Sequence, residues 1–276
     1  MRKTLVVLST FDGISCGLIA LKAMFPDYKI IYYVAEIDEK AIAISRHNHP
    51  YTIYLGDIRE VTKNMIPQPV DIILSGSPCQ SFSMAGKRNG FDGKSNLFWE
   101  FVRLNKIFKP KYFLLENVHM KKEWLNIITK AMKVDPILIN SSRVSAQNRK
   151  RYYWTNIPGV TAPEDRGIKL SSFIDGAVGG YGRRGTPDGL GGYTISKWTT
   201  RKDGKSNCLT CSGSCSDVML ENGFSRPLTI PEREILQTLP VGYTNVPGIC
   251  KTDKIKAIGN GWTVDVIKHI FSFLPY

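Results

Sequence analysis

The chain has 276 residues, 42% of them hydrophobic, enough to bury a full core without disulfides or a structural metal. No stretch reaches the eighteen apolar residues of a membrane span, and the start MRKTLVVLST carries too short an apolar run for a secretory leader. A net charge of +13 favours a polyanionic partner, and six irregularly spaced cysteines fit free thiols in a reducing compartment rather than a disulfide framework.

The first half alternates strand and helix patterns. Residues 5–8 form a β-rich run, followed by a glycine turn and the helical GLIALKAMF. KIIYYVAEID reads as a second strand and KAIAISRHNH as a helix whose end is capped by His47 or His49. VDIILSGSP and KYFLLENV are further strands, with the helical LFWEFVRLNKIF between them. Such alternation predicts a doubly wound, mostly parallel α/β sheet with ligands beyond the carboxyl ends of its strands. Beyond residue 156 the pattern fades, and the glycine-rich residues 176–192 read as loops. Order returns at LTIPEREILQTL, where Thr229 is a cap candidate and Pro231 sits early in the helix, and GWTVDVIKHIFSFL reads as an amphipathic helix. The expected organisation is a core of residues 1–155, an insert of residues 156–225 and a return to the core over 226–276.

Polar residues and glycines end each strand. FDGISCG places Gly13 and Gly17 where backbone can approach a ligand, without the GxGxxG of pyrophosphate sites. Glu36 ends the second strand and suits ribose hydroxyls; Asp57 follows at the next edge position and suits an adenine amino group. Cys79, stiffened by Pro78, follows a strand at the same edge and precedes a basic, glycine-rich segment able to close over a substrate. Glu116 and Asn117 end the next strand, and AQNRKRYYW offers Gln147, Arg149 and Arg151. A thiol, a carboxyl and guanidinium groups fit covalent activation of a cytosine ring: addition at C6, acid assistance at N3, a cation at O2, and methylation at C5. Cys208, Cys211 and Cys215 have partial metal spacing but no nearby histidine, so no metal is expected.

These residues, in this order, resemble the DNA cytosine-C5 methyltransferases from residue 5 to the end. The resemblance implies the S-adenosylmethionine-dependent methyltransferase fold with a small target-recognition insert, and S-adenosyl-L-methionine as cofactor. It assigns the cofactor site to Phe11, Asp12, Gly13, Ile14, Gly17, Glu36, Ile37, Asp57, Ile58, Pro78, Asn260, Gly261 and Trp262. It assigns catalysis to Cys79, Glu116, Gln147, Arg149 and Arg151. The stretch from Arg226 through Pro240 resembles the family helix that supports the recognition domain, and Gly259-Asn260 its closing motif. INSSRVSAQNRKRYYWTNIPGV and IGNGWTVDVIKHIF are similar to the animal de novo branch, although the size suggests a bacterial or phage source. The implied partner is double-stranded DNA, contacted by Ser81, Lys87, Arg88, Arg201, Lys202, Lys205 and Asn207, with Arg183 and Arg184 as further phosphate contacts. A short, glycine-rich insert implies a short recognition site. A cognate restriction enzyme, a cytoplasmic, DNA-associated location and, as an alternative substrate, tRNA are further implications.

Overall fold

The computed structural model describes residues 3–78, 97–187, 193–213 and 216–276, without the side chains of 183–197. Packing separates two compact units. The first comprises Met1–Ile139, Lys150–Ala162 and Val266–Tyr276; the second comprises Asn140–Arg149 and Pro163–Asp265. Packing thus groups residues 163–265 together, where the sequence suggested a break near 226.

The first unit is built on a seven-stranded sheet. Its strands are β1 (Thr4–Thr10), β2 (Lys29–Ala35), β3 (Ile53–Tyr54), β4 (Ile72–Ser75), β5 (Tyr112–Val118), β6 (Ile137–Asn140) and β7 (Lys150–Thr155), in the order β3-β2-β1-β4-β5-β7-β6. The first five strands pair in parallel, and β7 runs antiparallel to β5. Helices α1 (Cys16–Met24), α2 (Glu39–Asn48), α3 (Phe98–Phe108) and α4 (Lys122–Met132) make the crossovers. Strands in such a sheet are buried on both faces and read as continuous apolar runs. Val6 and Leu8 of β1 join Ile73, Phe98, Phe101, Leu104, Leu115 and Trp154 in one core cluster. Val7, on the opposite face, is equally buried, as are Leu18, Leu21 and Ile44 of the first two helices. The buried Trp154 keeps its indole N–H satisfied on Thr129 Oγ1 at 3.0 Å.

Helix α2 starts on Asp38, whose carboxylate accepts from the Lys40 and Ala41 amides, and ends at His49, the capping role expected of that histidine pair. His49 Nδ1 lies 3.1 Å from Lys22 Nζ. Burial, reinforced by the Lys22 charge, lowers the His49 pKa to about 4.

In the second unit, Ala177–Pro187 of the segment expected to be a loop form a β-strand. Strands β8 (Ala177–Pro187), β9 (Tyr193–Thr200), β10 (Asp217–Leu220) and β11 (Ser225–Pro227) form an antiparallel sheet in the order β11-β10-β8-β9. The glycines mark close approach rather than turns. A Cβ on Gly179 would lie 2.1 Å from the Arg201 carbonyl oxygen, and one on Gly180 would lie 2.6 Å from the Asn207 amide nitrogen. The unit also holds α5 (Ile230–Leu236) and α6 (Lys251–Asn260). Helix α5 begins with the expected cap: Thr229 accepts from the Glu232 amide, Glu232 accepts from the Thr229 amide at 2.7 Å, and proline stands in the first turn. Helix α7 (Val264–Phe271) follows. No helix among the described residues is long and apolar enough to cross a membrane.

Two outcomes follow for stability. The folded state favours neutral His49, so its contribution is complete above the unfolded pKa of 6.5 and is lost as pH falls from 6.5 to about 4, by up to about 3 kcal/mol. Urea unfolding of wild type and His49→Gln across pH 4–7 should show that extra loss in wild type alone. Gly180→Ala forces backbone apart and should cost about 2 kcal/mol or more in the same measurement.

Candidate functional site

Backbone pairing brings the strand ends of the first unit to one row. Thr10 pairs with Ala35 on one side and Ser75 on the other, and Ser75 pairs with Leu115. The residues that follow, Phe11–Gly13, Glu36, Gly76–Pro78 and Glu116, therefore emerge together at the carboxyl edge of the parallel sheet. Cys79, Ser81, Lys87 and Arg88 lie outside the described residues.

The loop after β1 alternates into left-handed backbone at Phe11, Gly13 and Ser15, with φ of 53°, 58° and 60°. Two carboxylates hold it. Glu36 Oε2 accepts from the Gly13 amide at 2.9 Å, while its Oε1 accepts from Ile37 and Asp38 at 2.8 and 2.9 Å. Asp12 accepts from Ser9 Oγ at 2.5 Å, from Tyr32 Oη at 2.7 Å and from Ser15 Oγ. Ser15 continues to Ser45, which receives Tyr54 Oη at 2.7 Å. Burial raises the pKa of the Asp12 carboxyl, opposed by its hydrogen bonds from Ser15, Ser9 and Tyr32. Asp12 thus shapes the loop from beneath rather than offering its carboxylate to a ligand. Ser9, Tyr32, Ser45 and Tyr54 were not singled out in the sequence, because nothing local marks four hydroxyls that converge only after folding.

The other cofactor candidates divide by burial. Ile14 and Ile58 are core side chains, 1% and 4% exposed, so neither can line a ligand site with its side chain. Gly17 is buried inside α1. Ile37 is 66% exposed beside Glu36. Asp57 caps a short 3-10 turn through the Arg59 amide, and both carboxylate oxygens meet the Arg59 guanidinium. Those bonds lower the Asp57 pKa.

Glu116 is buried, and its Oε1 lies 2.9 Å from Arg151 Nε. The antiparallel register explains the pair: Val118 faces Arg151 and Glu116 faces Tyr153, so carboxylate and guanidinium sit two residues apart on one face. Asn117 points elsewhere. Its Nδ2 donates to Ser77 Oγ at 3.0 Å and its Oδ1 accepts from the Val118 amide at 2.8 Å, tying the end of β5 to the Ser77-Pro78 turn.

Gln147 and Arg149 belong to the second unit and do structural work there. Arg149 is 3% exposed; its guanidinium donates to the carbonyls of Leu209 at 3.0 Å, Gly259 at 3.1 Å and Gly261 at 2.9 Å. Gln147 donates to Leu236 O and Gln237 Oε1 and accepts from the Leu209 amide. Gln237 in turn donates to the Ile258 and Gly261 carbonyls. The described side-chain hydrogen bonds of Gln147 and Arg149 thus go to backbone, to Gln237 and to Cys208 within the second unit. Gly259 is required here, since a Cβ would stand 2.4 Å from Thr210 backbone. Gly261 is buried beside it, Trp262 is half-buried and Asn260 is exposed.

The expected DNA contacts also divide. Lys205 is buried, and its ammonium donates to the carbonyls of Ser142 at 2.7 Å and Ser145 at 3.3 Å; burial lowers its pKa. It is an internal strut, not a phosphate contact. Arg201 pairs with Asp203 through two nitrogens. Lys202 is exposed and Asn207 half-buried, whereas the side chains of Arg183 and Arg184 lie outside the described residues. Cys208 contacts the Arg149 guanidinium at 3.6 Å, and Cys215 is outside the described residues.

The first unit therefore combines a doubly wound, mostly parallel sheet with a carboxylate–guanidinium pair at its carboxyl edge. Residues 5–173 match the family model for C-5 cytosine-specific DNA methylases, and the chain belongs to that family. It is 36% identical over 161 residues to the orphan methyltransferase M.SPRI of Bacillus phage SPR, a match covering 53% of this chain and 36% of that protein. It is 35% identical over 142 residues to the type II methyltransferase M.NlaIV of Neisseria lactamica, covering 45% of this chain and 33% of that protein. The matches thus span about a third of the length of these relatives. The crystal structure of a Spodoptera frugiperda DNMT2 mutant shares the fold, with a TM-score of 0.71 at 22% identity over 98% of this chain and 99% of that one.

Removing the Arg149 side chain should unfold the second unit before it affects chemistry. Arg149→Met leaves three carbonyls unpaired and should cost about 3 kcal/mol or more in denaturant unfolding. A variant of wild-type stability with lost activity would instead point to a direct part for Arg149 in the chemistry.

Proposed function

We propose that this chain transfers a methyl group from S-adenosylmethionine to C5 of cytosine in duplex DNA. The observation that carries the reading is the buried Glu116–Arg151 pair, at the sheet edge where the Ser77-Pro78 turn leads into Cys79. The cofactor-site residues fit an adenosine. The rigid Glu36 carboxylate suits ribose hydroxyls, exposed Ile37 offers an apolar face, and the Phe11–Gly13 backbone allows close approach. When bound, the cofactor supplies an electrophilic methyl on sulfonium sulfur.

The chain's residues do the rest. C5 cannot be reached inside a stacked duplex, so the target base is flipped out. The Cys79 thiolate adds to C6, forming the S–C6 bond, as Glu116 delivers a proton to N3. Arg151 orients the Glu116 carboxyl and offers a cation to O2. C5 of the enamine-like ring, so activated, would take the methyl that the bound cofactor supplies, its sulfonium–methyl bond breaking and S-adenosylhomocysteine leaving. The C5 proton leaves to water, the N3 proton returns to Glu116, and the S–C6 bond breaks to restore the ring and the thiolate.

Labelled methyl transfer to duplex DNA and to tRNA tests the substrate, and bisulfite sequencing of plasmid from expressing cells reads the target. Methylation of tRNA alone would move the assignment to the RNA-modifying alternative. The insert is short and glycine-rich in sequence, so the recognised site should be short, roughly two to four base pairs. Homology to type II enzymes supports a cognate restriction enzyme as partner. Cys79→Ala should abolish both transfer and the covalent adduct with 5-fluorocytosine duplexes, and an adduct persisting in that variant would remove Cys79 as nucleophile. Glu116→Gln should slow single-turnover transfer by about a hundredfold or more. Unchanged single-turnover rates would refute its acid role.

A further inference from the structure

The strand pair that carries Glu116 and Arg151 continues past them. Extending the β5–β7 register by one step sets His119 across from Lys150, both exposed. The His119 ring stacks on Tyr152, with centroids 5.5 Å apart and planes 19° apart. The chain then runs through exposed Lys121 and Lys122 into α4, and the Lys121 ammonium lies over the Trp124 ring at 5.4 Å. The described acids of this stretch are Glu116, held by Arg151, and exposed Glu123. Three lysines with one opposing acid thus sit on a lip held by aromatic contacts, directly beyond the ion pair.

We infer that this lip, formed by His119, Lys121, Lys122 and Lys150, is a ledge that grips the phosphate backbone of duplex DNA flanking the target base. The inference rests on the DNA reading above and adds a docking surface within the first unit, outside the insert expected to contact DNA. Its chemistry suits phosphate: ammonium groups act as unspecific point charges, and the stacked imidazole adds a positioned N–H. Backbone gripping of this kind positions a duplex without reading its sequence.

Salt titration of equilibrium binding to a short cytosine-containing duplex tests it. Each phosphate contact contributes about 0.9 to the slope of log K against log salt. Lys121→Ala/Lys122→Ala/Lys150→Ala should flatten that slope by about 2 to 3, with S-adenosylhomocysteine binding and thermal unfolding unchanged. Lys3→Ala/Lys29→Ala/Lys106→Ala removes the same charge from the opposite end of the sheet and should leave the slope near wild type. Should the triple lip variant fail to fold, Lys122→Ala and Lys150→Ala singly should each flatten it by about 1. A wild-type slope in the lip variants, or an equal loss in the control, overturns the ledge while leaving the methyltransferase reading intact. Failure of the wild-type protein to bind duplex DNA, or binding of tRNA alone, overturns both.

Discussion

The in-register row Ala35–Thr10–Ser75–Leu115 is the constraint on which the first unit depends. Parallel strands that finish level with one another deliver their next residues to one line, and four separate stretches of chain supply the edge. A slip of one residue in any pairing would reverse that strand's faces, turning Glu36 or Glu116 away from its present partners and putting an apolar neighbour in its place. The apolar runs of β1, β4 and β5, filling both faces, make such a slip costly. Core packing and site geometry are thus one requirement here.

The run Gln147, Arg149, Arg151 shows how one strand-like spacing serves different ends. Arg151 meets a carboxylate at the sheet edge. Arg149 and Gln147 instead saturate a set of backbone carbonyls and one amide with no regular secondary-structure partner. A buried guanidinium is tolerable because its donors are matched by carbonyls, and Gln237 completes the same cluster. Gly259, where a Cβ would meet the Thr210 backbone, and the Gly261 carbonyl belong to that arrangement.

Much of this was legible in the sequence where physics is local. Alternating apolar runs gave the parallel sheet, Thr229 with Glu232 and proline gave a helix start, and a carboxylate ending KYFLLENV gave Glu116. What was not legible depended on contacts distant along the chain. Glycines 179 and 180 looked like loop residues because a missing side chain signals a turn and a close approach alike. Lys205 looked like a phosphate contact because a lysine in a polar run gives no sign that Ser142 and Ser145 carbonyls await it. Asp12 sat in a motif read as ligand-facing, yet beside its neighbours Ser9 and Ser15 it is held by Tyr32, which the chain brings in from β2.

The reversal of β7 has a consequence for how the chain can vary in length. Glu116 reaches the edge as β5 leaves the sheet, and Arg151 reaches it as β7 enters, so their pairing is a matter of metre along two opposed ladders. One residue gained or lost between Arg149 and Arg151 would turn a guanidinium to the wrong side. Two would restore the side but displace it by about 7 Å. The connection over residues 158–169 lies outside any ladder and is under no such count. Insertions that diversify descendants of this chain should therefore collect there and leave the arginine spacing untouched.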